Sequence, residues 1–143
     1  LQPLEKLGAV SLASITSTQP QKTELAFTKV TTNAQLQTLL DQARSESKPV
    51  MIDYYADWCT ACLEMAHTTF ADAQVQAKAQ PMMLIQADIT LNTAESVALL
   101  KRFGLFAPPS LVFFNAQGEE QKSLGVMGYM DAQHLLERLN RIL

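Results

Sequence analysis

The stretch Pro49-Val-Met-Ile-Asp-Tyr-Tyr-Ala-Asp-Trp-Cys-Thr-Ala-Cys62 decides the fold of this chain of 143 residues. Its first half is an apolar run that predicts a buried strand, and Asp57-Trp58 predicts a turn into a helix opening near Cys59. At a helix N-terminus, unpaired backbone N–H groups and the positive end of the dipole favour a thiolate over a thiol. The spacing therefore indicates a redox pair in which Cys59 attacks and Cys62, one helical turn later, resolves.

Three other roles for the cysteine pair compete with redox exchange. A structural zinc site takes four Cys or His ligands, and beyond the pair the chain offers only His67 and His134. Covalent haem attachment requires a histidine directly after the second cysteine, where this chain has Leu63. A purely structural disulfide stays open as an alternative, although so short a loop removes little entropy from the unfolded chain. Redox exchange is the favoured interpretation, and no metal site is predicted.

Length, composition and charge predict one compact domain. A chain of 143 residues with 48% apolar content is long enough to bury a core. Eleven basic residues against fourteen acidic ones give a net charge of −3 without a basic run, so neither nucleic acid nor an anionic membrane surface is a predicted partner. No apolar run reaches the ~18 residues of a membrane helix, so we expect no direct membrane insertion of this chain.

The composition changes near residue 25. Residues 1–24 contain two Pro, one Gly and many Ser, Thr and Gln, which is typical of a linker or an extended arm. The chain begins at Leu rather than Met, and we expect this end to be the cut edge of a longer protein. The folded domain is predicted over residues 25–143.

Strands and helices alternate along the predicted domain. The patterns and capping signals predict these elements: a strand at 25–30, a helix opened by Thr32-x-x-Gln35, a strand at 49–55, the cysteine helix, a helical piece at 72–79, a strand at 82–88, a helix opened by Asn92-x-x-Glu95, a strand at 110–115, a less regular partner strand at 121–129, and a final helix capped by Asp131. This order predicts an α/β fold with a central mixed sheet that is flanked by helices on both faces.

The motifs and their order resemble a known family. The strand followed by Trp-Cys-x-x-Cys and a helix, the later proline before Ser110-Leu-Val-Phe-Phe, and the element order resemble the thioredoxin fold over residues 25–143. A narrower resemblance, to the C-terminal periplasmic domain of the bacterial transmembrane disulfide reductases of the DsbD family, rests on several segments: Tyr55-Ala-Asp-Trp-Cys-Thr-Ala-Cys62, Thr69-Phe70, Val97-Ala-Leu-Leu100, Phe113-Phe114 and Gly128-Tyr-Met-Asp131.

The resemblance implies an electron relay. In that family the C-terminal domain receives electrons by dithiol–disulfide exchange from a membrane-embedded domain and passes them to an N-terminal periplasmic domain of the same protein, which serves isomerase and cytochrome c maturation pathways. It implies that Cys59 forms the mixed disulfide and that Cys62 breaks it. The implied domain is a periplasmic protein-disulfide reductase, monomeric in isolation, with no cofactor besides its redox-active disulfide.

Asp53 is the third candidate catalytic residue. It shares the side-chain parity of Met51 on the predicted strand and should point into the interior near the cysteine pair. Burying a carboxylate costs free energy unless the group is paired, so an unpaired one indicates a functional role. We expect Asp53 to have a raised pKa and to relay a proton to or from Cys62; the alternative is a half-buried aspartate bonded to backbone or to a lysine.

Pro109 and its surroundings are the predicted partner-binding site. By its place before the strand at Ser110, Pro109 resembles the cis-proline that lies beside the cysteines in thioredoxin-like proteins. Pro108 departs from the common pattern, because a proline lacks an N–H and leaves only its carbonyl for a docked partner. Trp58 and Phe106 are expected to rim the docking surface, with ordinary core packing as the alternative.

The acidic residues near the cysteine pair also depart from the family pattern. Relatives can carry a carboxylate four residues after the second cysteine, where this chain has Ala66. The neighbouring Glu64 and His67 are expected to be solvated residues of the helix face. This departure weakens an account in which two carboxylates together control the pKa values of the thiols.

Two further functions stay open on the sequence. One is a free-standing thioredoxin-like reductant or oxidant of the periplasm, because the same fold and motif serve both directions of electron flow. The other is a redox-inert thioredoxin-fold adaptor whose disulfide is structural. Trapping of a mixed disulfide through Cys59 separates the adaptor from the two oxidoreductases.

Overall fold

A mixed sheet of five strands forms the centre of the computed structural model, which describes residues 25–143. The linker expected over residues 1–24 lies outside the described residues. The strands are β1 (Thr28–Val30), β2 (Val50–Tyr55), β3 (Met83–Asp88), β4 (Ser110–Phe114) and β5 (Val126–Met127). Their order in the sheet is β1-β3-β2-β4-β5. The strand that leads into the cysteines is thus the central one.

Strand β2 is paired on both of its edges. It runs parallel to β3 and antiparallel to β4. In this register Asp53 lies opposite Gln86 on one side and opposite Leu111 on the other. Since helices cover both faces of the sheet, five of the six residues of β2 are buried, as a near-continuous apolar strand predicts.

Within residues 25–143, the two faces of the sheet are covered by five helices: α1 (Asn33–Ser45), α2 (Thr60–His67), α3 (Ala73–Lys78), α4 (Ala94–Arg102) and α5 (Ala132–Ile142). Leu36 of α1 and Leu99 of α4 pack in one core with Ile52. Met65 of α2 and Leu135 of α5 pack with Met51 in a second core on the opposite face, which also holds α3. Because β2 alternates between these two cores, the predicted α/β fold with helices on both faces is confirmed.

The helix caps differ in detail from the predicted ones. The Thr32 hydroxyl caps α1 by accepting from the Gln35 backbone N–H at 3.1 Å, as predicted. The cap of α4 is Thr93 with Ser96 rather than Asn92 with Glu95. Asn92 has a left-handed backbone with φ 53, whereas an N-cap residue is normally extended. The helix therefore starts one residue later than the sequence signal indicated.

The strand that follows β4 is shorter than the sequence predicted. The expected partner strand over 121–129 is reduced to β5 and is preceded by a 3₁₀ turn at Lys122–Leu124. Leu124 is buried in the second core, and its carbonyl accepts a hydrogen bond of 3.0 Å from Arg138 Nε. An extended chain places residues two apart on the same face, and Leu124 accordingly packs into the same core as Val126 although the backbone forms a turn.

Candidate active site

Cys59 and Cys62 form a disulfide at the start of α2. Cys59 is the N-cap of the helix, and its sulfur accepts a hydrogen bond of 3.2 Å from the Cys62 backbone N–H. The helix opening predicted near Cys59 is therefore confirmed. When the pair is reduced, the same N–H and the helix dipole favour the Cys59 thiolate. Both side chains are largely buried, so a protein partner has to fit against the surrounding loops to reach them.

Asp53 is buried in the middle of β2, with 3% of its surface exposed. Its Oδ2 accepts a hydrogen bond of 3.3 Å from Gln86 Nε2 on the adjacent strand. Burial raises the pKa of Asp53 to about 7, and the bond from Gln86 opposes that rise. The inward orientation predicted from strand parity is confirmed. The alternative partners were wrong, since the carboxylate is paired with a side-chain amide rather than with backbone or lysine.

A small cavity joins Asp53 to Cys62. Its volume is about 30 Å³, which is sufficient for one water molecule. It is lined by Leu25, Phe27, Asp53, Tyr55, Cys62, Ala66, Phe70 and Gln86. Asp53 is the only carboxylate among these residues, and Ala66 adds no acid. The arrangement gives Cys62 one nearby carboxylic acid, and burial raises the pKa of the Tyr55 phenol, which also lines the cavity, to about 12.

The proline loop leaves few backbone groups for a partner. The bond between Pro108 and Pro109 is cis, as the resemblance implied, and Pro109 is buried. The Pro109 carbonyl accepts from the Gly128 N–H at 2.8 Å, and the Ala107 carbonyl accepts from the Ser110 hydroxyl at 2.8 Å. Within residues 25–143 the Pro108 carbonyl has no hydrogen-bond donor.

Trp58 and Phe106 lie on the surface. The exposed fractions are 53% for Trp58 and 84% for Phe106, so the alternative of core packing is wrong for both. Glu64 and His67 are exposed on α2, as predicted. Trp58 directly precedes Cys59, and Phe106 is in the loop that leads to the cis bond. Both rings therefore lie on segments that adjoin the site.

The sequence pattern did not indicate Gln86 and Thr90. Gln86 meets Asp53 because β2 and β3 pair in parallel with those two residues in register. Thr90 accepts the Trp58 indole N–H at 3.0 Å through its backbone carbonyl. Both contacts join residues more than thirty positions apart. Only strand pairing, which no local pattern specifies, brings them together.

Comparisons with known proteins agree with this geometry. Residues 36–143 match the model of the thioredoxin-like domain family. The crystal structure of the oxidised DsbD C-terminal domain from Neisseria meningitidis superposes with a TM-score of 0.69 at 32% identity, covering 81% of this chain and 100% of that one. The chain belongs to the family of DsbD C-terminal domains. With its intact cysteine pair, the domain carries the groups that thiol–disulfide exchange requires.

Full-length DsbD proteins are much longer than this chain. The thiol:disulfide interchange protein DsbD of Ralstonia nicotianae is 41% identical over 99% of this chain, which spans 23% of that protein. DsbD of Escherichia coli is 42% identical over 86% of this chain, which spans 22% of it. The chain thus corresponds to about a fifth of the curated relatives it matches. None of the helices within residues 25–143 has the length and apolar content of a membrane span.

Proposed function

We propose that this chain is the periplasmic thioredoxin-like domain of a DsbD protein and relays electrons inside it. It receives two electrons from a membrane-embedded domain and passes them to an N-terminal periplasmic domain of the same protein, for use in isomerase and cytochrome c maturation pathways. The observation that carries the proposal is the Cys59–Cys62 disulfide at the start of α2, with the Cys62 N–H on the Cys59 sulfur. Exchange of this kind needs no cofactor beyond the disulfide.

In the accepting half-reaction, a thiolate of the donor attacks Cys59 Sγ. The Cys59–Cys62 bond breaks, a mixed disulfide forms on Cys59, and Cys62 leaves as a thiolate that takes up a proton. The second thiol of the donor then attacks the mixed disulfide. Cys59 is released as a thiolate, and the donor leaves as a disulfide, so two electrons have entered the domain.

In the delivering half-reaction, the Cys59 thiolate attacks the disulfide of the acceptor. A mixed disulfide forms again, and Cys62, once deprotonated, attacks Cys59 Sγ and closes the internal disulfide. The acceptor leaves as a dithiol. Each half-reaction requires Cys62 to change its protonation state, and Asp53 shares a cavity with it. With a pKa of about 7, Asp53 is populated in both forms near neutrality and serves as acid or as base.

Docking precedes both half-reactions. Trp58 and Phe106 supply exposed aromatic area beside the cysteines, and aromatic rings are favoured at protein interfaces. The Pro108 carbonyl supplies a single backbone acceptor for an extended segment of the partner, while Pro109 fixes the loop. A monomer in isolation suits this role, because the same face has to meet two partners in turn.

Trapping of the mixed disulfide tests the proposal. Cys62→Ala leaves Cys59 able to attack but removes the resolving thiol, so we expect it to accumulate a covalent adduct with the other domains of the parent protein. Cys59→Ala is the matched control and should accumulate none. Adducts are separated on non-reducing gels and identified by mass spectrometry. A Cys62→Ala variant without any adduct would instead support a redox-inert adaptor.

The reduction potential tests the direction of electron flow. We expect the Cys59–Cys62 pair to equilibrate with a glutathione or dithiothreitol buffer at about −270 to −200 mV, the range of thioredoxin and glutaredoxins. A value near −120 mV, as in a strong oxidant, would reverse the proposed direction. Adducts with endogenous proteins other than the parent would favour a free-standing periplasmic oxidoreductase.

A further inference from the structure

Thr90 connects the end of β3 to the loop that precedes Cys59. Its hydroxyl oxygen accepts a hydrogen bond of 2.9 Å from the Asp57 backbone N–H. Its carbonyl accepts the Trp58 indole N–H at 3.0 Å. Two consecutive residues of the pre-cysteine loop are therefore held by a single residue thirty-two and thirty-three positions away.

Asp88 fixes Thr90 in turn. The Asp88 Oδ1 accepts both the Thr90 hydroxyl at 2.5 Å and the Thr90 backbone N–H at 2.9 Å. A hydroxyl has one proton to donate. Because that proton is committed to a carboxylate, a lone pair of the Thr90 oxygen is left to face the Asp57 N–H. The direction of the hydroxyl's two bonds is thus consistent with an acceptor at Asp88 and a donor at Asp57.

The neighbours of Asp88 stabilise its ionised form. Burial opposes ionisation, but the bonds from Thr90 and the nearby Lys29 outweigh it, so the pKa of Asp88 is below its ordinary value. The Lys29 ammonium lies 3.3 Å from Asp88 Oδ2. Lys29 belongs to edge strand β1, and no other titratable side chain forms an ion pair with Asp88 within residues 25–143. Asp88 therefore acts as an ionised acceptor over the neutral range.

The ring that this network holds is more than half exposed. Trp58 has 53% of its surface open to solvent, yet its indole N–H is already bonded to Thr90. Its polar atom is satisfied, and its apolar face is free next to Cys59. An aromatic side chain that is already held in place loses little conformational entropy when a partner covers it.

We propose that Thr90 is a positioning residue: it holds the Trp58 ring and the loop before Cys59 in the orientation that a docking protein meets. The inference rests on the proposed function in so far as it needs a protein partner. Thr90 touches no reacting atom and acts through Trp58. Its contribution is therefore to the recognition of proteins and not to the reactivity of the thiols.

The first experiment needs no redox partner. Trp58 is the only tryptophan of the chain, so acrylamide quenching and fluorescence anisotropy of the oxidised protein report on this ring alone. Thr90→Val keeps the shape and the backbone carbonyl but removes the hydroxyl that bonds the Asp57 N–H and Asp88. Because the loop and the carbonyl are then less firmly held, we expect increased quenching and lower anisotropy. Thr90→Ser should restore both. Thr93→Val is the matched control, because Thr93 caps α4 with Ser96 and makes no bond to Trp58.

The second experiment separates docking from chemistry. With insulin as the protein disulfide, we expect Thr90→Val to raise the apparent KM about fivefold to tenfold, as the loss of one or two hydrogen bonds allows, with the rate at saturation unchanged. The rate with hydroxyethyl disulfide, which is too small to need Trp58, should also be unchanged. In a Trp58→Ala background, Thr90→Val should have no further effect on KM, since the two residues act as one unit.

Several results would overturn the inference. The inference fails if Thr90→Val has the same quenching and the same KM as the wild type. It also fails if Thr90→Val loses the same fraction of its rate with insulin and with hydroxyethyl disulfide, or if Thr93→Val shows the same changes as Thr90→Val. If Thr90→Val does not fold, Asp88→Asn, which weakens the bonds to Thr90 while keeping its hydroxyl, is expected to show the same increases in quenching and KM. If Cys62→Ala traps no adduct, the proposed function fails on its own, and the fluorescence experiment still decides the role of Thr90.

Discussion

Gln86 donates a hydrogen bond of 3.3 Å to the Asp53 carboxylate across the parallel pair of β2 and β3. A neutral amide stabilises the charged carboxylate only in part, so burial prevails and raises the pKa of Asp53 to about 7. A cationic partner would hold the group ionised, and an apolar one would leave it protonated. The Gln86 contact therefore keeps Asp53 able to exchange its proton near neutral pH.

Asp53 also makes the stability of the domain depend on pH. Its folded pKa of about 7 is above the ordinary value of 3.8, so the folded state binds more protons than the unfolded state between these values. The resulting stabilisation is complete below the ordinary value and is lost as pH rises through 7. We expect Asp53→Asn to be more stable than the wild type by a few kcal/mol at about pH 8, and less so at about pH 5.

Urea unfolding at a series of pH values measures this difference. Glu137→Gln, which removes an exposed carboxylate on α5, is the control and should follow the wild-type profile. Parallel profiles for Asp53→Asn and the wild type would show that the carboxylate does not titrate in the folded protein at these pH values.

The same carboxylate should control how fast the mixed disulfide is resolved. Asparagine cannot accept a proton from Cys62, so we expect Asp53→Asn to slow resolution by at least about tenfold near pH 7. The wild-type rate should rise through a pKa of about 7, and the variant rate only as the thiol itself ionises at higher pH. Rapid acid quenching and mass spectrometry give the lifetime of the adduct. An unchanged lifetime would assign proton transfer to solvent.

Pro108 limits how a partner strand can bind. It offers an acceptor but no N–H, and the carbonyls of Ala107 and Pro109 are already bonded. Pro108→Ala restores one donor, and we expect about a threefold to tenfold lower KM for a protein disulfide, the value of one added hydrogen bond. Pro81→Ala, in an exposed turn after α3, should leave KM unchanged. A higher KM in Pro108→Ala would show that the partner needs the proline ring instead.

Tyr54 joins the central strand to α4. Its buried hydroxyl donates a hydrogen bond of 2.8 Å to the Leu99 carbonyl. We expect Tyr54→Phe to lower the free energy of unfolding by about 1–2 kcal/mol, because the bond is lost inside the core. Tyr129→Phe is the matched control, since that hydroxyl lies at the surface 3.3 Å from the Thr68 hydroxyl. Urea unfolding compares the two variants, and equal effects would contradict the assignment.

Local patterns predicted the elements that position the cysteines. The apolar run before Asp57 and the turn into a helix at Cys59 depend on neighbouring residues, and both agree with the structure. The inward direction of Asp53 followed from strand parity alone. These features are local because side-chain alternation and helix capping act over a few residues.

The remaining differences come from tertiary structure. Asn92 has the composition of a cap but adopts a left-handed backbone, and the following Thr93 takes the role. Gln86 and Thr90 gain their contacts from the pairing of β2 with β3 and from the turn that follows β3. A single sequence does not specify strand register, so the partner of Asp53 and the anchor of Trp58 were not predictable.

The central place of β2 should keep the domain folded through repeated cycles of thiol–disulfide exchange. Both edges of this strand are hydrogen-bonded and nearly all of it is buried, so its amides should exchange with solvent only when the whole domain unfolds. Cys59 follows its last residue by four positions. The residue that links covalently to each partner thus follows closely on a strand that we expect to stay closed, so the domain can form and release such links many times without opening its interior.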